Sequence, residues 1–375
     1  MPGARRDGAR WRVHNAGVFP SPGTTMVMDA MPRRAFIRFF LLAGLGLCAL
    51  PVLGQNGAPP LRFGILPTGG PAESSEDWQP VLDDMSKALK RPVIGVSVST
   101  YEGMYRAVLD RRVDVAFLSG KLALDSVLAG KADVVVQLAR PDGAPGYRAL
   151  LLARKDGPIR DLNDVFSNPK RWTYARGETV SVSGYLVPEA QLFVNRKVSS
   201  ETYFKSVKVD NHQNNALAVA NGEVDLCSNN SADMERFAAK FPRQYAQLRV
   251  LWTSKMIPHG VLVTARDLPE VEKEQVRRFL LGYARGGGAE AAAQLEHLQR
   301  VHKLAGFVAA RDTVLLPFAQ IEAALELQRA RDARWVDEDA RQSRMARINA
   351  ELARKESILK AGDERAAGRQ SLAGK

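Results

Sequence analysis

The chain has 375 residues, 53 Lys and Arg against 41 Asp and Glu, and a formal charge of +12. That surplus suits an anionic ligand or a membrane-facing location, but no basic block interleaved with aromatics occurs, which sets nucleic-acid binding aside. Of the two cysteines, Cys48 falls in a leader and only Cys227 remains beyond it, so no internal disulfide can form there.

Residues 1–54 read as that leader. Met31-Pro-Arg-Arg-Ala-Phe-Ile-Arg is a positive n-region, Phe39 to Leu50 an apolar h-region, and Val52-Leu53-Gly54 a small-residue cleavage pattern before Gln55. The h-region is too short and wrongly flanked for a permanent span. Arg33-Arg34 resembles a twin-arginine export signal, and ordinary secretion fits the same residues. Leu47 before Cys48 is too bulky for lipoprotein processing. Residues 1–30 read as an upstream extension, with Met31 the better initiator. The leader holds seven Arg and two Asp, which leaves 46 basic against 39 acidic residues, a charge of +7 on an exported, periplasmic chain.

The folded part opens with Leu61-Arg-Phe-Gly-Ile-Leu-Pro67, a strand ending in a Gly/Pro turn, and a helix from Trp78 to Leu89. A β-branched run at Val93 to Ser99, a helical pattern at Tyr101 to Arg111 and a short apolar strand at Val113 to Leu118 follow. Strands alternating with helices imply βαβ units and a largely parallel sheet. The pattern then recurs: strands at Thr173 to Ala175, Val207 to Val209 and Val224 to Cys227, with helices at Gly184 to Asn195 and Asn214 to Gly222. The phrases Ala107-Val-Leu-Asp-Arg-Arg-Val-Asp-Val-Ala and Ala218-Val-Ala-Asn-Gly-Glu-Val-Asp-Leu-Cys share one shape. Each is a helix end, a tight turn, Val-Asp and a buried strand.

Two similar α/β lobes result, with Tyr147 to Arg154 and Val261 to Arg266 placed to cross between them. Two crossings make a hinge and a cleft. The expected division is 61–152 for the first part of lobe 1, 153–262 for lobe 2 and 263–310 for the return to lobe 1. Residues 311–361 form C-terminal helices and 362–375 a frayed tail. Phe318 to Arg331 and Glu338 to Leu359 carry apolar residues at helical spacing among dense charge, which fits a helix packed on the body or a dimerising arm equally.

Ser181-Val182-Ser183-Gly184 precedes an apolar helical run. Two hydroxyls and the N–H groups of a helix start can hold an anion, although serine also serves as an ordinary N-cap. Other landmarks are Trp78-Gln-Pro-Val-Leu, Tyr101 with its helix, Gly146-Tyr-Arg-Ala-Leu-Leu, His212 with Asn215-Ala-Leu-Ala-Val-Ala-Asn-Gly, and Asn229-Asn230. In this order and spacing, from about Leu61 to Leu359, the chain resembles a phosphonate/phosphate-type periplasmic solute-binding protein of an ABC uptake system.

The resemblance implies a two-lobed periplasmic-binding-protein fold (type II-like), with two hinge crossings, that closes over a small oxyanion. It also implies an ABC permease in the inner membrane as partner, and C-terminal helices that could form a homodimer. In that family a Ser-Thr-Ser cluster, a histidine and two tyrosines hold the phosphonate. Here Ser181, Val182 and Ser183 fill the cluster positions, His212 matches the histidine and Tyr101 one tyrosine. Leu118 stands where the second tyrosine would be.

The family's two ammonium-binding carboxylates fall at Ala232 and Gly260, neither acidic, with Asp233 one residue away. Burying an ammonium without a partner costs on the order of 3–5 kcal/mol, so an amine-free alkylphosphonate, phosphite, phosphate or phosphate ester is expected. His259, beside Gly260, faces either the same pocket or solvent; Arg176 and Lys121 are further candidate cations.

An enzyme is not expected. Ser183 lacks a Gly-x-Ser-x-Gly elbow, and Asp210 lies too close to His212 on one loop to orient it. No zinc motif or P-loop occurs, and His297 and His302, five apart on one helix, would diverge. No metal or cofactor is implied. The same fold could instead serve a sensor that presents its closed form to a membrane receptor kinase.

Overall fold

The computed structural model describes residues 58–373, so the leader lies outside the described residues. Eleven strands form two sheets, described here as first and second lobe. The first sheet contains β1 (Leu61–Ile65), β2 (Val93–Ser97), β3 (Val115–Leu118), β4 (Ala132–Ala139), β10 (Val261–Ala265) and β11 (Gly306–Ala309), in the order β11-β4-β10-β3-β1-β2. The second contains β5 (Gly146–Arg154), β6 (Thr173–Arg176), β7 (Ser206–Val209), β8 (Leu226–Asn230) and β9 (Leu248–Pro258), in the order β7-β6-β8-β5-β9.

Each sheet is mixed, not largely parallel. Three strands run parallel in each lobe: β2, β1 and β3 in the first, β7, β6 and β8 in the second. The strands that receive the chain after each crossing, β5 and β10, run antiparallel to them, whereas β4 and β9, which lead into the crossings, run in the same direction as the parallel set. The expected boundaries therefore move. All of β5 pairs within the second sheet and all of β10 within the first, so the crossings lie at residues 140–145 and at His259 and Gly260. The runs expected to cross are the strands that receive the chain.

The repeated Val-Asp phrases do the same job in both lobes. Asp114 Oδ2 accepts the backbone N–H of Arg62 at 2.8 Å, and Asp225 Oδ2 accepts that of Thr173 at 2.7 Å. Each carboxylate thus pins the start of the neighbouring parallel strand. Burial opposes ionisation of Asp114, yet the hydrogen bonds from Arg62 and Arg111 hold its pKa down at about 2.

The helix Pro71–Leu89 buries Trp78, Val81, Leu82 and Met85, the stripe that its 3.6-residue period places on one face. Trp78 meets Phe63 at 5.0 Å and Phe117 at 5.6 Å between ring centroids. Fully burying one such side chain contributes about 1.5–3 kcal/mol, and this aromatic file runs from the first-lobe core to the cleft.

The helices Leu316–Asp332 and Glu338–Ala373 pack on the body. The first touches both lobes: Phe318 joins the first-lobe core, while Leu325 packs on Leu186 and Val194 of the second. The second helix continues to Ala373, where a frayed tail was expected. Lys121, a candidate cleft cation, lies here instead, 2.5 Å from Asp125 and 2.7 Å from Glu322. Among the described residues no helix is long and apolar enough to cross a membrane.

Candidate functional site

A cavity of about 70 Å³ lies between the lobes beside the hinge. Of the residues that sequence reasoning singled out, Tyr101, Ser181, Val182, Ser183, His212 and His259 line it, as do Ala232 and Gly260. Leu118 does not. It is fully buried in the first-lobe core, and strand alternation turns its neighbours Phe117 and Ser119 to the cavity instead.

The second-lobe wall is polar. Ser181 caps the start of a helical run, its Oγ accepting the N–H of Gly184 at 3.2 Å. That run is not the regular helix expected from the sequence: Val182–Leu186 and Glu189–Phe193 are π turns and Val194–Arg196 a 3₁₀ turn. Such local rewinding often accompanies a functional site. Ser183 Oγ lies 3.2 Å from His212 Nε2 and accepts from Asn230 Nδ2 at 3.3 Å.

His212 is the first residue of the helix His212–Ala220, which the Asn211 side chain caps. Burial pushes its imidazole pKa down, so the ring is neutral at pH 7 and can donate or accept. Burial likewise pushes the phenol of Tyr147 up, against a hydrogen bond to Ser183. Asp210 is engaged by Asn211 and Asn214, not by His212, so no Ser-His-Asp triad assembles.

The opposite wall, from the first lobe, sets the apolar Leu66, Phe117, Leu138 and Leu304 among the polar Thr68, Tyr101, Ser119 and His302. Tyr101 starts the helix Tyr101–Leu109, and its N–H donates to Glu178 Oε1 of the second lobe at 2.7 Å. His259 is no solvent-side residue. It is buried, its ring stacks on Tyr147 at 6.1 Å, and Nε2 lies 3.1 Å from the Ala144 carbonyl, which ties the two crossings together.

Where the resemblance places an ammonium, the cavity is lined by Ala232 and Gly260, neither of them acidic. A Cβ on Gly260 would stand 2.9 Å from the Leu118 carbonyl oxygen and 2.8 Å from the Phe117 ring, so the backbone's close approach requires glycine. Asp233 does line the cavity, but its carboxylate is already hydrogen-bonded. Asn230 Nδ2 donates to it at 2.7 Å and His302 Nδ1 lies 3.3 Å away, from the other lobe. Burial opposes its ionisation, but His302 and Arg236 hold its pKa far below the usual carboxylate range.

Sequence reasoning missed His302 because it assigned that residue to one helix with His297. The helix Ala289–Arg300 ends first, and His302 adopts a left-handed φ of 52° that turns its ring to Phe117 and to Thr68 Oγ1 at 3.1 Å. Arg140 was missed too; it lines the cavity from the first crossing, paired with Glu235. Arg176 does not reach the site: it is buried against Glu201 at 2.6 Å and over the Tyr185 ring at 4.9 Å.

Residues 63–315 match the family model for the periplasmic substrate-binding protein of phosphonate ABC transporters. The phosphonates-binding periplasmic protein of Escherichia coli (strain K12) is 30% identical over 318 residues, 85% of this chain and 92% of its own. The phosphate-import protein PhnD of Mycolicibacterium smegmatis is 30% identical over 217 residues, 54% of this chain and 66% of its own. Among solved structures, a binding protein component of an ABC phosphonate transporter from Pseudomonas aeruginosa superposes with a TM-score of 0.74 at 31% identity. That match covers 83% of this chain and 99% of the other.

Proposed function

The chain belongs to the periplasmic substrate-binding proteins of phosphonate ABC transporters, and from that premise we propose that it captures a small, amine-free phosphonate or related oxyanion in the inter-lobe cleft. One observation carries this reading: the hydroxyls of Ser181 and Ser183, the neutral His212 ring and the Tyr101 and Tyr147 phenols line one cavity between the lobes. Charge-assisted hydrogen bonds contribute about 1.5–3 kcal/mol each, and these groups supply them without stranding an opposite charge. At about 10–15 Å³ for each water, the roughly 70 Å³ available fits a ligand of a few heavy atoms.

The reading leaves an ammonium without a partner. Ala232 and Gly260 carry no charge, and the Asp233 carboxylate is taken by His302 and Asn230. Membership in an import family supports export to the periplasm and delivery to a membrane permease, and leaves the sensing alternative without support. Ser183 and His212 act as binding groups rather than as a nucleophile and its base. The outer face of the Glu338–Ala373 helix remains a candidate for pairing two protomers, which sedimentation equilibrium tests.

A thermal-shift panel of methylphosphonate, ethylphosphonate, phosphite, phosphate, glycerol phosphate and 2-aminoethylphosphonate tests the ligand class. A ligand at 100 times its Kd adds about 2.7 kcal/mol. Stabilisation by an amine-free member with little from 2-aminoethylphosphonate is the expected result. Preference for the aminoalkyl compound overturns the amine-free reading, and silence across the panel overturns the oxyanion reading altogether.

A further inference from the structure

We propose that Ser119 is a further polar contact of the first lobe to the ligand, beside Tyr101, and a determinant of its specificity, an inference that rests on reading the cleft as an oxyanion site. Strand β3 delivers Phe117 and Ser119 to the cavity on the same side. Phe117 belongs to the apolar wall; Ser119 brings the hydroxyl that Leu118 cannot.

The Ser119 hydroxyl is unemployed. Ser119 precedes the helix Gly120–Leu128 with extended backbone, φ −68° and ψ 158°, which is the N-cap position. A serine there ordinarily accepts an N–H from the first helical turn. The cavity's other N-cap side chains, Ser181 and Asn230, do so, as do Thr100 and Asn211 before the helices that carry Tyr101 and His212. Ser119 makes no such bond, and its buried Oγ has no hydrogen-bond partner among the described residues.

Helix packing holds this arrangement in place. Phe318, from the helix that bridges the lobes, presses on the first helical residue so closely that a Cβ on Gly120 would lie 2.1 Å from its ring. The start of the helix therefore cannot shift to recover the missing cap without breaking that contact. A buried hydroxyl without a partner is a cost that native structures rarely retain. A phosphonyl oxygen in the cavity removes it by accepting the Ser119 O–H, while Ser183 and His212 hold the anion from the second lobe. The ligand then bridges both walls. Its contact with Ser119 exists only when the lobes are closed, which gives the closed form the differential affinity that closure needs.

Calorimetry with methylphosphonate on the wild type, Ser119→Ala and Ser119→Thr tests this, alongside ligand-free melting. Loss of one charge-assisted hydrogen bond predicts roughly tenfold to hundredfold weaker binding by Ser119→Ala. Ser119→Thr, which keeps the hydroxyl, retains more of the affinity. The ligand-free melting temperature of Ser119→Ala stays level or rises, since no existing bond is removed. Wild-type affinity in Ser119→Ala overturns the proposal while leaving the oxyanion reading intact. So does weakened binding matched by an equal loss in Ser119→Thr together with a lower ligand-free melting temperature, which marks a structural role. A wild type that binds no panel member overturns both.

Discussion

The two walls of the cleft are built differently from similar parts. Both lobes have three parallel strands, with a Val-Asp turn pinning one strand start. In the second lobe the strand ends and the segments after them bring together Ser183, His212 and Asn230, joined by hydrogen bonds, while Ser181 caps the adjoining helical run. In the first lobe the corresponding edge sets Thr68, Tyr101, Ser119 and His302 singly among Leu66, Phe117, Leu138 and Leu304. A preorganised polar wall fixes an anion with little reordering, whereas an apolar wall admits only what needs no partner. The difference teaches that similar lobes can present one wall as a joined hydrogen-bond network and the other as single polar groups set among apolar side chains.

The largest test attacks the polar wall. Replacing both Ser183 and His212 by Ala removes two charge-assisted contacts and should weaken methylphosphonate binding on the order of a thousandfold. A loss of less than tenfold by calorimetry would mean that the anion is held elsewhere.

The second test turns the exclusion off. His302→Ala releases the Asp233 carboxylate into the cavity, so 2-aminoethylphosphonate should gain roughly tenfold to thirtyfold relative to methylphosphonate. Equal changes for both ligands would show that His302 is only part of the wall.

A control for the comparison lies under the first sheet. Asp312 is 3% exposed, accepts the Val134 N–H at 2.9 Å and has its pKa pushed up to about 6, chiefly by burial. A carboxyl with a raised folded pKa binds more protons folded than unfolded between about pH 4 and 6, so stability falls as pH rises through that window. Asp312→Asn should therefore add about 1–2 kcal/mol at pH 7–8, flatten the window and leave ligand affinity unchanged. A melting curve that keeps its slope between pH 4 and 6 would count against this assignment.

The smallest effect concerns the latch between the walls. Arg236 of the second lobe reaches Glu73 at 3.1 Å and Asp77 at 2.5 Å in the first. Arg236→Ala should favour the open form and weaken binding roughly twofold to tenfold, less at high salt. Small-angle scattering that shows no expansion in the variant would argue that closure does not depend on this pair.

Most of the polar wall was legible because its residues lie within short, patterned segments. Ser181 to Ser183 and His212 each begin a helical run, and helix starts announce themselves in sequence. The apolar wall was not. The resemblance points to Leu118, but side-chain direction in a strand alternates, and one position decides core or cavity. His302 depended on where a helix stopped, which periodicity marks only to within a few residues. Ser119 carries no signal at all, since an employed and an unemployed N-cap look alike in sequence.

By itself the sequence determined the two α/β lobes, the C-terminal helices and the segment that carries Ser181 and Ser183, because periodicity and turn chemistry act over short distances. Tertiary structure alone decided the rest. The antiparallel hinge strands, the Asp233–His302 pairing across the cleft, the glycine forced at position 260 and the stranded Ser119 hydroxyl all join residues far apart in the chain. Such contacts depend on which backbones approach closely enough to exclude a Cβ or to neutralise a charge, and close packing settles that only once both lobes are in place.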